Sequence, residues 1–244
     1  MFKAVLTGHS RGLGAAIAEE LLSRNVGVLG LARHRNTDLG ERFPTDLKQI
    51  ELDLADSAAL SRWLASGEMT QFFSSCETAL LINNAGTLQP MGLAGTLEAS
   101  AIGRAIALNV AAPLTLSSAM IANTADISDR RILHISSGAG REAYPAWSMY
   151  CASKAALDHH ARSVALEGIP TLRICSLAPG VIDTDMQTEI RSSTAEQFPL
   201  RETFVVLKDQ KQLARPSDTA TRLIDYLLGP DFGQSAVADL RSLP

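Results

Sequence analysis

Short, nearly unbroken apolar runs alternate along the chain with longer stretches in which apolar residues recur every three or four positions. The runs at 3–7, 26–32, 49–52, 78–82, 131–136 and 172–177 have the length and composition of strands buried on both faces. Helical spacing covers 15–24, a stretch from about 57, then 97–122 and 150–167. Beyond these, Asp183-Thr184-Asp185-Met186 opens a helix, Ser217 is placed to cap another ending at Leu228, and 235–238 suits a last edge strand. Strict alternation of strand and helix predicts an α/β fold, a doubly wound parallel sheet with helices on both faces, spanning 1–244 as a single domain. Segment 187–215 carries little pattern and is expected to form a mobile lid over a pocket. Ligands of such sheets lie beyond the strand C-termini. Thr7, Gly8, Arg33, Asp53, Asn83, Ser137 and Pro179 all fall at such ends.

Composition narrows the function classes. The apolar share of 46% supplies a large core, and a net charge of −4 argues against a nucleic-acid or anionic-membrane partner. The mildly apolar stretch 105–122 is interrupted by Asn109, Pro113, Thr115, Ser117 and Ser118, so it reads as a buried helix and not a membrane span. The three cysteines, Cys76, Cys151 and Cys175, lack metal-ligand spacing. They suit reduced thiols, and a cytoplasmic location with no metal is expected. The chain opens directly into a strand, so no targeting segment is expected ahead of it.

After the first strand comes Gly8-His9-Ser10-Arg11-Gly12-Leu13-Gly14, followed by a helix. Strand, glycine turn and helix is the setting in which a pyrophosphate approaches backbone N–H groups and a helix N-terminus. The second strand ends at Arg33-His34-Arg35, where a binder of NAD usually carries a carboxylate for the ribose hydroxyls. Arginines here, with Arg11, suit a 2′-phosphate, and NADP(H) follows as the expected cofactor. Asp53 ends the third strand, suited either to the adenine amine or to capping the helix near Ser57. Asn83-Asn84-Ala85-Gly86 is a small-residue turn that lets a flat ring lie close to the backbone. Gly8-His9-Ser10-Arg11-Gly12 also fits the G-x-S-x-G elbow of a hydrolase. That reading would need earlier strands for an oxyanion loop, and its late acid and histidines, Asp158, His159 and His160, lie within a helical run.

Tyr150 and Lys154 stand at i and i+4 on one helix face. An ammonium beside a phenol is expected to pull its pKa down from about 10, giving a proton donor and acceptor near neutral pH. Ser137 follows an apolar strand and offers a hydroxyl to the oxygen of a bound carbonyl. Pro113 has no N–H for the carbonyl of Asn109, which leaves that carbonyl free to hold a water near Lys154. Tyr144 and Trp147 lie in the loop before Tyr150, where they could stack on a flat substrate or merely pack.

With these residues placed, the sequence resembles the short-chain dehydrogenase/reductase family over nearly its whole length. The matching motifs are Thr7-Gly8-x-x-x-Gly12-x-Gly14, Asn83-Asn84-Ala85-Gly86, Asn109, Ser137, Tyr150-x-x-x-Lys154 and Pro179-Gly180. The resemblance implies a Rossmann-type fold and a catalytic tetrad of Asn109, Ser137, Tyr150 and Lys154. It implies an NADP(H) site formed by Gly8, Ser10, Arg11, Gly12, Leu13, Gly14, Arg33, Asp53, Leu54, Asn83, Ala85, Gly86, Tyr150, Lys154, Pro179, Gly180, Ile182 and Thr184. Around Trp147–Asp158 and Ala178–Gln187 the sequence is similar to the subgroup of sepiapterin reductase and bacterial benzil reductases. That likeness implies reduction of a ketone or vicinal dicarbonyl, with Ser137, Trp147, Tyr150, Met186 and Asp239 facing the substrate. Homodimers or homotetramers, packed through the helices of Asn109 and Tyr150, are also implied. An NADP(H)-sensing binding protein without turnover is the alternative, and the complete tetrad argues against it.

Overall fold

A computed structural model describes residues 1–243. Seven strands form one parallel sheet: β1 (Phe2–Thr7), β2 (Gly27–Ala32), β3 (Leu47–Glu51), β4 (Thr78–Asn83), β5 (Asp129–Ile135), β6 (Leu172–Ala178) and β7 (Val237–Asp239). Their order is β3-β2-β1-β4-β5-β6-β7. The helices are α1 (Gly12–Ser23), α2 (Thr37–Arg42), α3 (Ser57–Ala65), α4 (Glu68–Phe73), α5 (Ala99–Ile106), α6 (Ala112–Asn123), α7 (Ser148–Leu166), α8 (Asp185–Ser192), α9 (Arg201–Asp209) and α10 (Pro216–Leu228).

The unbroken apolar strands are explained by cover on both sides. Successive strand residues face opposite ways. Ala4, Leu6, Leu80 and Ile82 meet Ile17 and Leu21 of α1 and Leu223 and Ile224 of α10. Val5, Ala79, Leu81 and Ile132 meet Leu60, Phe73, Leu116 and Ala161, from α3, α4, α6 and α7. A third cluster joins Trp147 and Tyr150 to Ile190 and Phe198 above the strand ends. From β1 the chain runs to β2 and β3 on one side, then crosses back to β4 on the other. That reversal opens a crevice at the C-terminal ends of β1 and β4.

The expected elements are present, with differences that have local causes. Segment 187–215 is largely helical: α8 and α9 fold there, and Ile190 and Phe198 are buried against Trp147. Asp56, not Asp53, caps α3 by accepting from Ala59 N at 2.9 Å. α10 begins at Pro216, so Ser217 lies inside its first turn. The last strand, Val237–Asp239, pairs in parallel with β6. The apolar stretch holding Asn109 runs from Ala99 to Asn123 with mean hydropathy 1.7, long and apolar enough by composition to cross a membrane. Here it lies along the sheet, with Leu116 and Met120 in the core. Its middle, Ala107–Ala111, is a π turn in which Ala112 N–H reaches back to Ala107 O. Pro113 cannot donate to Asn109, and widening the turn is how a helix absorbs that loss.

Candidate active site

A cleft of about 1000 Å³ runs along the strand ends, from Arg33 and Asp53 past the glycine turn to Ser137, Tyr150 and Trp147. Its phosphate end is built by glycine geometry. Gly8 and Gly12 adopt φ of 73° and 57°, where a side chain would be strained. A methyl at Gly14 would run into the Gly8 carbonyl. The N-terminus of α1 has no side-chain cap, which leaves its first N–H groups for a ligand. Thr7 Oγ1 accepts from Asn84 N and Ala85 N, both at 2.9 Å, and Asn84 Nδ2 donates to Thr7 O at 3.0 Å. The turn is thereby fastened to the end of β4. Bare N–H groups, a tight turn that only glycines allow, and nearby arginines together fit a dinucleotide.

Leu13, Leu54, Ala85, Gly86, Pro179, Gly180, Ile182 and Thr184 line the same cleft, as do Ser10 and Arg11. Arg33 is exposed and forms no ion pair among the described residues, whereas Arg35 pairs with Glu51 at 3.4 Å and Arg11 with Asp185 at 3.0 Å. Asp53 lines the cleft too, with one oxygen on Ala55 N at 3.0 Å and the other on Arg104 at 3.3 Å. Asn83 departs from expectation. It is 2% exposed, turned behind the wall, and its amide donates toward His134 Nδ1 at 3.1 Å. Its neighbour Asn84 is the one that faces the cleft.

Ser137, Tyr150 and Lys154 converge at the other end of the cleft. α7 carries Tyr150 and Lys154 one turn apart, and Lys154 Nζ lies 5.6 Å from the phenol ring centre. The ammonium donates to Ile135 O at 2.7 Å. Asn109 stands just behind Gly86 and does not line the cleft. Its side chain grips Thr87, accepting from Thr87 N at 2.9 Å and donating to Thr87 O at 2.8 Å. Burial pushes the Tyr150 phenol up to about 12, against the pull of Ser137, and draws Lys154 down to about 8, against the pull of Asp158. Desolvation is the largest influence on the phenol, and the expected lowering by its lysine is not found. A phenol held protonated at neutral pH is a proton donor in waiting.

Trp147 packs flat on Phe198, with ring centres 4.5 Å apart, and sets its edge against Tyr150 at 5.5 Å. Met186 also lines the cleft. Asp239 does not: its carboxylate takes Arg241 N at 2.9 Å and the Arg241 guanidinium at 2.7 Å, which leaves it committed to its own turn. The hydrolase alternative finds no triad. Asp158 binds Ser136, Ser176 and Arg141, and His160 meets His134, so neither faces Ser10.

Asp158, named in the sequence only beside the hydrolase alternative, has a different role here. Asp158, one turn beyond Lys154 and 1% exposed, accepts from Ser136 Oγ at 2.7 Å, Ser176 Oγ at 2.6 Å and Arg141 Nε at 3.1 Å. Arg141 continues to Ala238 O at 2.9 Å. The i, i+4, i+8 spacing of Tyr150, Lys154 and Asp158 was the available signal.

The family model for short chain dehydrogenase matches residues 3–195. The chain belongs to the short-chain dehydrogenase/reductase family. Benzil reductase ((S)-benzoin forming) of Bacillus cereus is 32% identical over 240 residues, covering 96% of both chains. Sepiapterin reductase of Mus musculus is 32% identical, covering 96% of this chain and 95% of its own. Among solved structures, a short-chain dehydrogenase/reductase from Burkholderia vietnamiensis is 43% identical, with a TM-score of 0.73 over 100% of this chain and 98% of that one. This short-chain dehydrogenase/reductase is therefore an oxidoreductase acting on CH–OH or C=O groups of a small molecule, with a nicotinamide cofactor.

Proposed function

We propose that the protein is an NADP(H)-dependent carbonyl reductase acting on a ketone or vicinal dicarbonyl, with Tyr150 as the acid. The observation that carries this reading is the meeting of Tyr150, Lys154 and Ser137 at one end of a cleft whose other end presents arginines. Arg33 stands free of any carboxylate among the described residues, so a ribose phosphate has a cation to meet. Gly8, Gly12 and Gly14 would let a pyrophosphate approach backbone N–H groups, and Lys154, whose Nζ lies close to Gly86, would be placed to hold a ribose hydroxyl. When bound, the reduced cofactor would supply a hydride.

The chain's own residues do the rest. Ser137 donates to the substrate carbonyl oxygen and orients it. Tyr150 gives that oxygen its proton as charge builds on it, and the lysine stabilises the phenolate left behind. Asn109 holds Thr87, and with it the Gly86 wall, by its two hydrogen bonds. Trp147 gives the substrate a flat apolar wall, held in place by its stacking on the buried Phe198. That wall suits aryl ketones and dicarbonyls of the kind that the benzil reductase relative is named for. The α5–α6 stretch has only 39% of its most apolar window buried, which supports packing against a second copy as a homodimer or homotetramer. A cytoplasmic location accords with its free cysteines.

The test is loss of reduced-nicotinamide absorbance with benzil, sepiapterin and simple ketones in turn. Tyr150→Phe should bind NADPH as the parent does while turning over at least about a thousandfold more slowly, in line with loss of general-acid help. Full turnover by that variant would remove Tyr150 from the acid role.

A further inference from the structure

β2 is buried on both faces, yet it carries Gly30 at its centre, where a strand residue with a side chain would pack better. A Cβ at position 30 would stand 2.5 Å from the imidazole of His9. α2 carries Gly40, where a Cβ would lie 2.9 Å from Gln49 Nε2. Both glycines make room for one hydrogen-bonded assembly. Gln49 Oε1 accepts from Asn36 N at 2.7 Å, and Gln49 Nε2 donates to Asn36 O at 3.1 Å. Two backbone partners fix which amide atom is the oxygen. His9 Nε2, 2.9 Å from that oxygen, must then be the nitrogen bearing hydrogen. Asn36 Nδ2 donates to Ser10 O at 3.2 Å, and Asn36 Oδ1 caps α2 by accepting from Leu39 N at 3.0 Å.

The β1–α1 turn is thus tied to the β2–α2 loop twice, once through the buried His9 and the half-buried Gln49 and once directly by Asn36. These two loops carry Arg11 and Arg33, which line the cleft; His9, Asn36 and Gln49 do not line it. An exposed arginine discriminates a phosphate only if the backbone beneath it is held at the right distance from the glycine turn. We propose that His9, Asn36 and Gln49 are positioning residues, a clamp that sets the spacing of the arginine-bearing loops and so the preference for a cofactor phosphorylated on its adenosine ribose. This rests on the NADP(H) reading above.

The test is titration of the intact protein with NADPH and with NADH, followed by cofactor fluorescence, alongside steady-state kinetics and thermal melting. Gln49→Ala should weaken NADPH roughly five- to tenfold, the worth of one buried hydrogen bond, and NADH less than about twofold. Turnover at saturating NADPH should not change. Asn36→Ala removes a half-buried side chain whose cap serves only the short α2, so it should fold even if Gln49→Ala does not, and should shift the ratio in the same direction. In an Arg33→Ala background, either change should leave the NADPH-to-NADH ratio where Arg33→Ala alone put it. A loss shared equally by both cofactors, or a further fall in the ratio without Arg33, would overturn the clamp. If the parent protein itself binds both cofactors equally, the NADP(H) reading falls and the clamp with it. If the parent prefers NADPH and Asn36→Ala keeps that ratio, the clamp alone falls.

Discussion

Replacing Asp158 by asparagine should separate what its charge does from what its shape does. The carboxylate is 1% exposed and takes three donors: Ser136 and Ser176 hydroxyls on one oxygen and Arg141 Nε on the other. Asparagine keeps one acceptor for the serines but turns an NH₂ toward the guanidinium. Removing one partner of a buried pair costs about 3–5 kcal/mol. The Arg141 side chain is 28% exposed and can swing toward water, so the lower end applies, about 3 kcal/mol. For a chain of this length that is roughly 6–12 °C in Tm. The second effect is electrostatic. Burial lowers Lys154 to about 8, and Asp158 opposes that fall; without the carboxylate the ammonium deprotonates at lower pH. If catalysis needs the charged lysine, activity is lost as pH rises through the Lys154 pKa, and in Asp158→Asn that loss moves toward neutrality. Ser176→Ala is the control, because it deletes one bond and leaves the charge. It should cost about 1–2 kcal/mol and leave the alkaline limb alone. The assay is kcat against pH at saturating cofactor, beside thermal melting. An Asp158→Asn protein that melts within about 1 °C of the parent, with a superimposable pH profile, would refute both halves of the reasoning.

Two other perturbations have defined signs. Arg33→Ala removes a cleft cation that has no carboxylate partner among the described residues; at an exposed site a lost phosphate contact is worth about 1–2 kcal/mol, or roughly five- to thirtyfold in NADPH affinity. Added salt should shrink that difference, and equal losses for NADPH and NADH would count against a phosphate-binding role. Acid should destabilise the protein through His134. Burial first, then the charges of His160 and Lys154, lowers it from 6.5 to about 3, so it folds neutral. Its contribution is full above about pH 6.5 and is lost as pH falls toward 3, amounting to about 2–3 kcal/mol by pH 4.5. Urea midpoints at pH 7 and 4.5 measure this loss. A His134→Asn protein should lose less over that window, and an identical loss would clear His134.

The sheet was legible because strands covered on both faces must be apolar throughout, and Leu80–Ile82 or Ile132–Ile135 can hardly be anything else. The glycine turn and the Tyr150–Lys154 spacing were legible because each depends only on neighbours in the chain. What failed depended on distant partners. Asn83 and Asn84 are the same residue side by side, and only the alternation at the end of β4 decides that 83 turns inward and 84 toward the cleft. α8 and α9 are short helices anchored by few buried residues, and the stacking of Phe198 on Trp147 joins segments far apart in sequence. Asp239 is taken up by Arg241, a neighbour whose side-chain direction the sequence does not reveal. The phenol's pKa departs from the expectation because burial, which no spacing reveals, is the largest influence on it.

The common thread is the end of β5. Three consecutive residues there meet α7 in three ways. Ile135 offers its carbonyl to Lys154, Ser136 its hydroxyl to Asp158, and Ser137 stands at the cleft wall beside Tyr150. Along α7 the partners recur at every fourth residue, while along β5 they are successive. A slip of one residue in β5 would turn Ser136 to the wrong face and strand the Asp158 carboxylate without its hydroxyls. The buried acid therefore penalises any register but the one that brings Ser137 to Tyr150. A polar network buried in the core keeps the candidate acid and its hydroxyl partner in line.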